Sequence, residues 1–412
     1  MTNKSPLINS SFQGLGISPQ ILEILDQLHF KHPTPIQHQV IPIAIKGKDV
    51  VGVAQTGTGK TLAFGVPVIQ HVLIKNSQAL IVLPTRELAL QVNEMLQKIG
   101  KTMKLKTTVL IGGTGINYQI QSLRLNLNII IATPGRLVDH LQQRTLKLNN
   151  VEIVVIDEAD RMFDVGFAPQ INKILNYVPK KRQTMLFSAT MSKEVMNLAT
   201  THLLTPIRIE VAPPGTAPTK VEQEIFIIVK EQKLQLLEKI LGDYKGAILV
   251  FGRTKHGVKK ITSMIRQMGH RAAEIHSNRS LTQRREALSG FKSGKYRVLV
   301  ATDIAARGID VIGIEIVINF DLPETADDYV HRIGRTGRAG YNGRAISFVT
   351  PDQRKDIRHI ERLIRRVVPI KKLPTLPLRR KPLNHTYSNS RDQSRRSYYH
   401  GGKRRQWKNL NK

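Results

Sequence analysis

The stretch DVVGVAQTGTGKT, residues 49–61, decides the fold. It opens with an apolar, largely β-branched run, DVVGVA (49–54), and passes straight into a glycine-rich segment closed by Lys60 and Thr61. Such a run bounded by turn chemistry reads as a buried strand. A glycine-rich loop between strand and helix presents backbone N–H groups and a helix N-terminus to phosphate. Gly57 and Gly59 permit the tight wrap, Lys60 reaches the β- and γ-phosphates, and the Thr61 hydroxyl can ligate Mg²⁺. Ala54 stands where the general phosphate-loop pattern has glycine. The alternative is a plain glycine-rich turn opening a helix. The Lys-Thr pair directly after a strand argues against it.

Working outward, the same style recurs. The first half carries ALIVLP (79–84), TTVLIG (107–112), NIIIAT (128–133), EIVVID (152–157) and TMLFSA (184–189). The second carries EIFIIV (224–229), AILVFG (247–252), RVLVAT (297–302), EIVINF (315–320) and AISFVT (345–350). Nearly continuous apolar runs alternating with helix-length segments predict buried parallel strands in an α/β sheet. VAPPGTAPTK (211–220) separates the halves as a Pro/Gly linker. The polar motifs follow the apolar runs, so they fall at the carboxyl ends of strands, where open α/β sheets bind ligands.

With 412 residues the chain is long enough for two domains plus a tail. Its net charge of +32 favours a polyanionic partner, nucleic acid above an anionic membrane surface. There is no cysteine, which excludes disulfides, zinc–thiolate sites and iron–sulfur clusters. No apolar run of membrane-spanning length and no secretion-signal pattern is present, so a cytoplasmic protein is expected. From 369 to 412 thirteen Lys and Arg face a single acid, Asp392, which predicts a basic, disordered tail. Tyr387, Tyr398, Tyr399 and Trp407 are interleaved there. Cations and aromatics together suit single-stranded RNA; a merely solubilising tail is the alternative.

Asp157 and Glu158 end the run EIVVI. One carboxylate can hold a metal through water while its neighbour orients or deprotonates the attacking water. An acidic turn is the alternative when the pair is taken alone; beside a phosphate loop it becomes the second half of an ATPase site. HRIGRTGR (331–338) spaces Arg332, Arg335 and Arg338 three apart. Arginines brought from a second domain can stabilise charge on a transferred phosphoryl group; a basic surface face is the alternative.

DEAD (157–160), SAT (188–190), PTRELA (84–89), TPGR (133–136), ARGID (306–310) and HRIGRTGR stand together in one order. In these motifs residues 10–368 resemble the DEAD-box RNA helicases, and 276–310 is most similar to the bacterial RhlE-type branch. The resemblance implies two tandem RecA-like parallel-sheet domains joined by a short linker, ATP and Mg²⁺ as fuel, and RNA as partner. The implied organisation is an N-terminal extension (1–38), an ATP-binding domain (39–212), a linker (213–220), a second domain (221–368) and the tail (369–412).

The resemblance also implies residue roles. Gln37 reads the adenine edge, Phe30 stacks on the ring and Phe12 braces the segment. Bottom-up, PTPIQ (33–37) is a helix start with proline near the first turn. Thr56, Gly57, Thr58, Gly59, Lys60 and Thr61 hold the phosphates, with Thr61 and Asp157 on the metal. Glu158 handles water, Asp310 contacts the ribose, and Arg335 and Arg338 are arginine fingers. Ser188 and Thr190 couple hydrolysis to closure. The implied RNA contacts are Thr85, Arg86, Gly113, Thr133, Gly135 and Arg136 in the first domain, with Arg253, Arg284, Thr302 and Asp303 in the second. They suit backbone recognition of single strands and short duplexes without base reading. Two residues depart from the family pattern: His29 stands where glycine is usual, and Leu281 where glutamine is usual.

The expected activity is RNA-dependent ATP hydrolysis that locally unwinds short duplexes or remodels RNA–protein complexes. An ATP-gated RNA clamp or chaperone and a DNA translocase are the alternatives. A monomer is expected, with ribosomal or RNA-decay complexes as conceivable partners.

Overall fold

Seven strands of the first half, β1 (Val50–Val53), β2 (Gln78–Val82), β3 (Thr107–Leu110), β4 (Ile129–Ala132), β5 (Val151–Ile156), β6 (Gln183–Ser188) and β7 (Ile207–Glu210), form one sheet in the order β3-β4-β2-β5-β6-β1-β7. Seven of the second half, β8 (Val221–Ile227), β9 (Ala247–Phe251), β10 (Ala272–Ile275), β11 (Val298–Ala301), β12 (Ile314–Asn319), β13 (Gly343–Val349) and β14 (Ile370–Lys371), form another in the order β10-β11-β9-β12-β13-β8-β14. All pairings are parallel. This computed structural model describes residues 11–55, 57–211, 221–306, 311, 313–337 and 342–377. Thr56, Asp310, Arg338, the expected linker 213–220 and the chain beyond 377 lie outside the described residues.

Each apolar run of the sequence becomes a strand. Helices cover both faces of each sheet, so central strands such as β1, β4 and β11 are buried along their whole length. Two core clusters serve the first sheet and three the second. Gly52 interrupts β1 because Phe187 lies across it: a Cβ there would fall 2.6 Å from the ring. Phe187 in turn packs on Phe64 with ring centroids 5.4 Å apart. The buried Asp49 pins the start of this region, accepting the N–H of Thr184 at 2.8 Å and of Leu204 at 2.6 Å.

Three strands were not legible as apolar runs. β7 is an edge strand, IRIE, exposed at three of its four positions. β10 reads AAEI, where two alanines and a glutamate are weak strand formers. β14, IK, lies within the segment expected to be tail. The ordered chain therefore continues past residue 368: Ile370–Lys371 pair with β8, Leu376 packs on the core, and the Pro377 carbonyl accepts from Gln235 Nε2 at 2.8 Å. The expected N-terminal extension is likewise part of the first core, since the helix Pro19–Gln27 buries Ile21, Ile24 and Leu25 in it. Among the described residues, no helix is long and apolar enough to cross a membrane.

Candidate functional site

Strand order sorts the motifs. The phosphate loop follows β1, Asp157–Asp160 follow β5 and Ser188–Thr190 end β6, and these three strands are adjacent. Thr85–Arg86, Gly112–Gly113 and Thr133–Arg136 follow β2, β3 and β4, the other half of the sheet. One carboxyl-end edge thus offers two neighbouring sites.

At the first site Gly57 and Gly59 adopt φ of 89° and 92°, which side-chain-bearing residues avoid. Thr58 Oγ1 donates to the Gln55 carbonyl at 2.7 Å and closes the loop. Gly59 caps the helix Lys60–Lys75, whose N-terminus carries Thr61. Lys60 is buried, its Nζ makes no hydrogen bond among the described residues, and it faces Asp157 Oδ1 at 3.8 Å. A buried ammonium without hydrogen-bond acceptors is costly unless a ligand supplies them. Burial, offset by Lys60, raises the Asp157 carboxyl to about 6.

Gln37 sits on this loop. The helix Pro35–Ile45 starts with Pro35 in its first turn, as PTPIQ predicts. Gln37 Oε1 accepts the Thr34 N–H at 2.9 Å, and its Nε2 donates to the Gly59 carbonyl at 3.0 Å. Phe30 is partly buried against the first core, and Phe12 is buried within it. The segment before Phe30 explains the glycine usual at 29: His29 has φ of 61°. Its N–H bonds to Asp26 O at 2.8 Å while Phe30 N–H bonds to Leu25 O at 2.9 Å. This is a helix-ending Schellman turn, whose left-handed position favours glycine.

Glu158 is also left-handed, φ 55°, at the start of the helix Ala159–Asp164, and its carboxylate lies 3.5 Å from Arg161 Nε. Asp160, absent from the expected site residues, joins DEAD to SAT. Its Oδ2 accepts the N–H groups of Ala189 and Thr190 and the Thr190 hydroxyl, and its own N–H donates to Ser188 Oγ at 3.2 Å. The signal was its place as last letter of the motif.

At the second site the Arg86 guanidinium lies over the Gly112–Gly113 turn. A Cβ on Gly113 would collide with its Nη1. Thr85 caps the helix Arg86–Gly100, accepting the Leu88 N–H at 3.3 Å. Thr133 precedes the helix Pro134–Gln142, and Arg136 Nη1 donates to the Thr114 carbonyl at 3.1 Å. Among the described residues, apart from its neighbours and its own helix backbone, nothing lies within 4 Å of where a Cβ on Gly135 would stand, so a ligand can approach that backbone closely. Burial and the facing Arg284 hold Arg86 below the ordinary guanidinium value.

The second lobe meets this edge. Arg253 follows β9, its N–H bonding to Asp321 Oδ2 at 3.1 Å and its guanidinium to Leu322 O at 3.3 Å. Arg284 forms an ion pair with Glu87 of the first lobe at 3.1 Å, the carboxylate buried and the guanidinium largely so. Leu281, one turn earlier, is buried with the first-lobe core. Thr302 lines an interlobe cavity of about 680 Å³ that Thr190 and Asp160 enter from the other side. Arg335 is buried and shares a small cavity with first-lobe Arg161.

Asp303, an expected RNA contact, has both carboxylate oxygens held by Arg332, at 2.5 and 2.7 Å. Arg332 is itself buried, stacks 4.9 Å from the Phe251 ring centroid and donates to Asn319 and Asp321. A guanidinium this enclosed reaches its full hydrogen-bonding capacity only with a bidentate carboxylate. The Asp303 side chain, partly exposed, lines the interlobe cavity while it holds Arg332.

A phosphate loop, an acidic strand end and a second parallel lobe supplying arginines define a two-lobed, RecA-like nucleotide-binding protein. The DEAD/DEAH box helicase pattern matches residues 34–198, and the helicase conserved C-terminal domain matches 232–340. The chain is 42% identical over 370 residues to the DEAD-box ATP-dependent RNA helicase CshA of Geobacillus kaustophilus, covering 89% of this chain and 79% of that protein. CshA of Bacillus subtilis is 42% identical over 369 residues, covering 89% and 75%. Among solved structures, S. cerevisiae Dbp5 bound to RNA and ADP BeF3 superposes with a TM-score of 0.81 at 27% identity, covering 88% of this chain and 96% of that one. The DEAD-box helicase Mss116 bound to ssRNA and UDP-BeF gives 0.83 at 26%, covering 90% and 81%. The chain belongs to the DEAD-box helicase family.

Proposed function

We propose that this protein is an RNA-dependent ATPase that closes two lobes around ATP and an RNA strand and so opens short duplexes locally. The observation that carries this reading is the buried Lys60 ammonium, facing Asp157 with no hydrogen bond among the described residues, on the same edge as a separate backbone-lined site. The two relatives with RNA and a nucleotide analogue superpose over both lobes at TM-scores of 0.81 and 0.83, which supports a closed, RNA-competent arrangement. A closed lobe pair grips one strand in a shape that a duplex does not keep, so pairing fails locally.

At the ATP site Lys60 binds the phosphate oxygens that its buried Nζ lacks. Gln37 holds the loop through Gly59 and presents its adenine-facing edge beside Phe30. Thr61 and Asp157 are hard oxygen donors of the kind Mg²⁺ takes together with substrate phosphates. When bound, the metal neutralises charge on the phosphates. Glu158 orients the attacking water and accepts its proton, and Arg335, with Arg338, offsets charge on the transferred group. Ser188 and Thr190, held by Asp160, pass closure of the second lobe to the acids. Thr85, Arg86, Gly113, Thr133, Gly135, Arg136, Arg253, Arg284 and Thr302 contact the RNA backbone.

The RhlE-type branch rests on residues 276–310 alone, whereas the curated relatives above carry the name CshA. An ATP-gated RNA clamp is the second reading, favoured by the buried Leu281 and the Arg284–Glu87 pair, which join the lobes without RNA. A cytoplasmic location accompanies either reading. Glu158→Gln tests the first: RNA-stimulated ATPase should fall by about 10²-fold or more. A near wild-type rate would remove Glu158 as the water-handling acid.

A further inference from the structure

Two loops of the RNA-facing half are tied together from behind. Residues 112–115 leave β3 and residues 133–136 leave β4, and these strands are neighbours. Beneath them lie Gln119, on the helix Ile116–Leu123, and His140, on the helix Pro134–Gln142. Gln119 is 2% exposed and His140 not at all. Neither belongs to the ATP or RNA residues assigned above.

Their hydrogen bonds cross from one loop to the other. Gln119 Nε2 donates to the Ile111 carbonyl at 2.9 Å and to Thr114 Oγ1, whose own proton goes to Ile111 O at 3.0 Å. Gln119 Oε1 therefore faces His140 Nε2, 3.2 Å away, and can only accept. His140 Nε2 must carry a proton. Thr145 Oγ1 lies 2.8 Å from Nδ1 and donates its proton to the His140 carbonyl at 3.1 Å. Both ring nitrogens are thus in polar contact, and burial with the nearby Arg136 charge holds the imidazole pKa below the ordinary value. A buried hydrogen-bonded network of this kind restricts the geometry of the groups it joins. On the outer side Arg136 Nη1 repeats the tie by donating to Thr114 O at 3.1 Å.

We propose that Gln119 and His140 are positioning residues: their buried bridge holds the Gly112–Gly113 turn and the Thr133–Arg136 helix start in register, so that one RNA strand meets both. This rests on the reading that these loops hold RNA backbone. Neither residue touches RNA. Without the bridge the two loops move independently, and binding must bring them into register at the expense of affinity.

The test is steady-state ATPase titrated with single-stranded RNA on the full chain. Gln119→Leu and His140→Leu should each raise half-saturating RNA about tenfold, with the KM for ATP and the RNA-free rate unchanged. The double variant should cost no more than either single, because both remove one bridge. His140→Gln, whose Nε2 can reach Gln119 Oε1, should recover most of the affinity. His140→Asn retains a polar contact to Thr145 but is too short to reach Gln119, so it should behave as His140→Leu and serves if that variant does not fold. Arg136→Ala separates this proposal from the reading beneath it. If it leaves RNA affinity unchanged, the loops are not the RNA site and the proposal falls with that reading. If it weakens RNA while Gln119 and His140 variants do not, or their effects add, or His140→Gln recovers nothing, the bridge is overturned by itself.

Discussion

A single carboxylate oxygen, Oδ2 of Asp160, accepts both the N–H of Thr190 at 2.9 Å and its hydroxyl at 3.2 Å. The same oxygen takes the Ala189 N–H at 3.0 Å. The acidic motif and the SAT segment therefore move as one piece, and Thr190 carries that piece to the interlobe cavity. Asp160→Asn removes a charged acceptor from buried donors, which should cost about 1–3 kcal/mol of stability. RNA-stimulated ATPase should drop with it. A melting curve and an ATPase rate both matching the wild type would contradict the coupling.

His29 ends its helix in the left-handed region, where a Cβ costs about 1 kcal/mol. His29→Gly should raise the melting temperature and leave ATP and RNA binding intact. An unchanged or lower melting temperature would mean that the histidine ring makes up for the strain.

Asp157 is raised from 3.8 to about 6 chiefly by burial. Metal requires the ionised form, so Mg·ATP affinity should fall as pH drops below about 6 and level off above it. The stability sign is opposite. The folded state holds this proton more tightly than the unfolded chain, so Asp157 subtracts stability as pH rises from 3.8 to about 6, and the loss is complete above that. Asp157→Asn should therefore melt higher than the wild type at pH 7, with the gap closing near pH 4 as the unfolded carboxyl also protonates. An equal gap at both pH values would count against a raised Asp157.

Leu281 replaces a family glutamine and is buried with the first-lobe core, beside the Arg284–Glu87 pair. Leu281→Ala should weaken lobe closure by about 1.4 kcal/mol of lost apolar burial and raise half-saturating RNA about tenfold. RNA titrations that superimpose on the wild type would show that this side chain does not help to hold the lobes.

The sequence predicted the strand framework because buried parallel strands are continuous apolar runs, as ALIVLP at β2 and EIVVI at β5 are. It concealed β7, β10 and β14, edge or outlying strands whose neighbours rather than their composition hold them in place. The ATP loop was legible because its chemistry is local: Gly57 to Thr61 are consecutive. The Asp303–Arg332 pair was not, because the partners lie 29 positions apart, and no spacing announces a bidentate ion pair. Gln119 and His140, 21 positions apart, were invisible for the same reason. Long-range polar pairing is written in the packing, not in the pattern.

The central claim is that Lys60 binds the phosphates of ATP in a cleft that RNA helps to close. Steady-state ATPase with and without single-stranded RNA, beside Lys60→Ala, tests it most directly. The account predicts strong RNA stimulation in the wild type and none in the variant. ATP hydrolysis indifferent to RNA, or stimulation that survives the loss of Lys60, would contradict it.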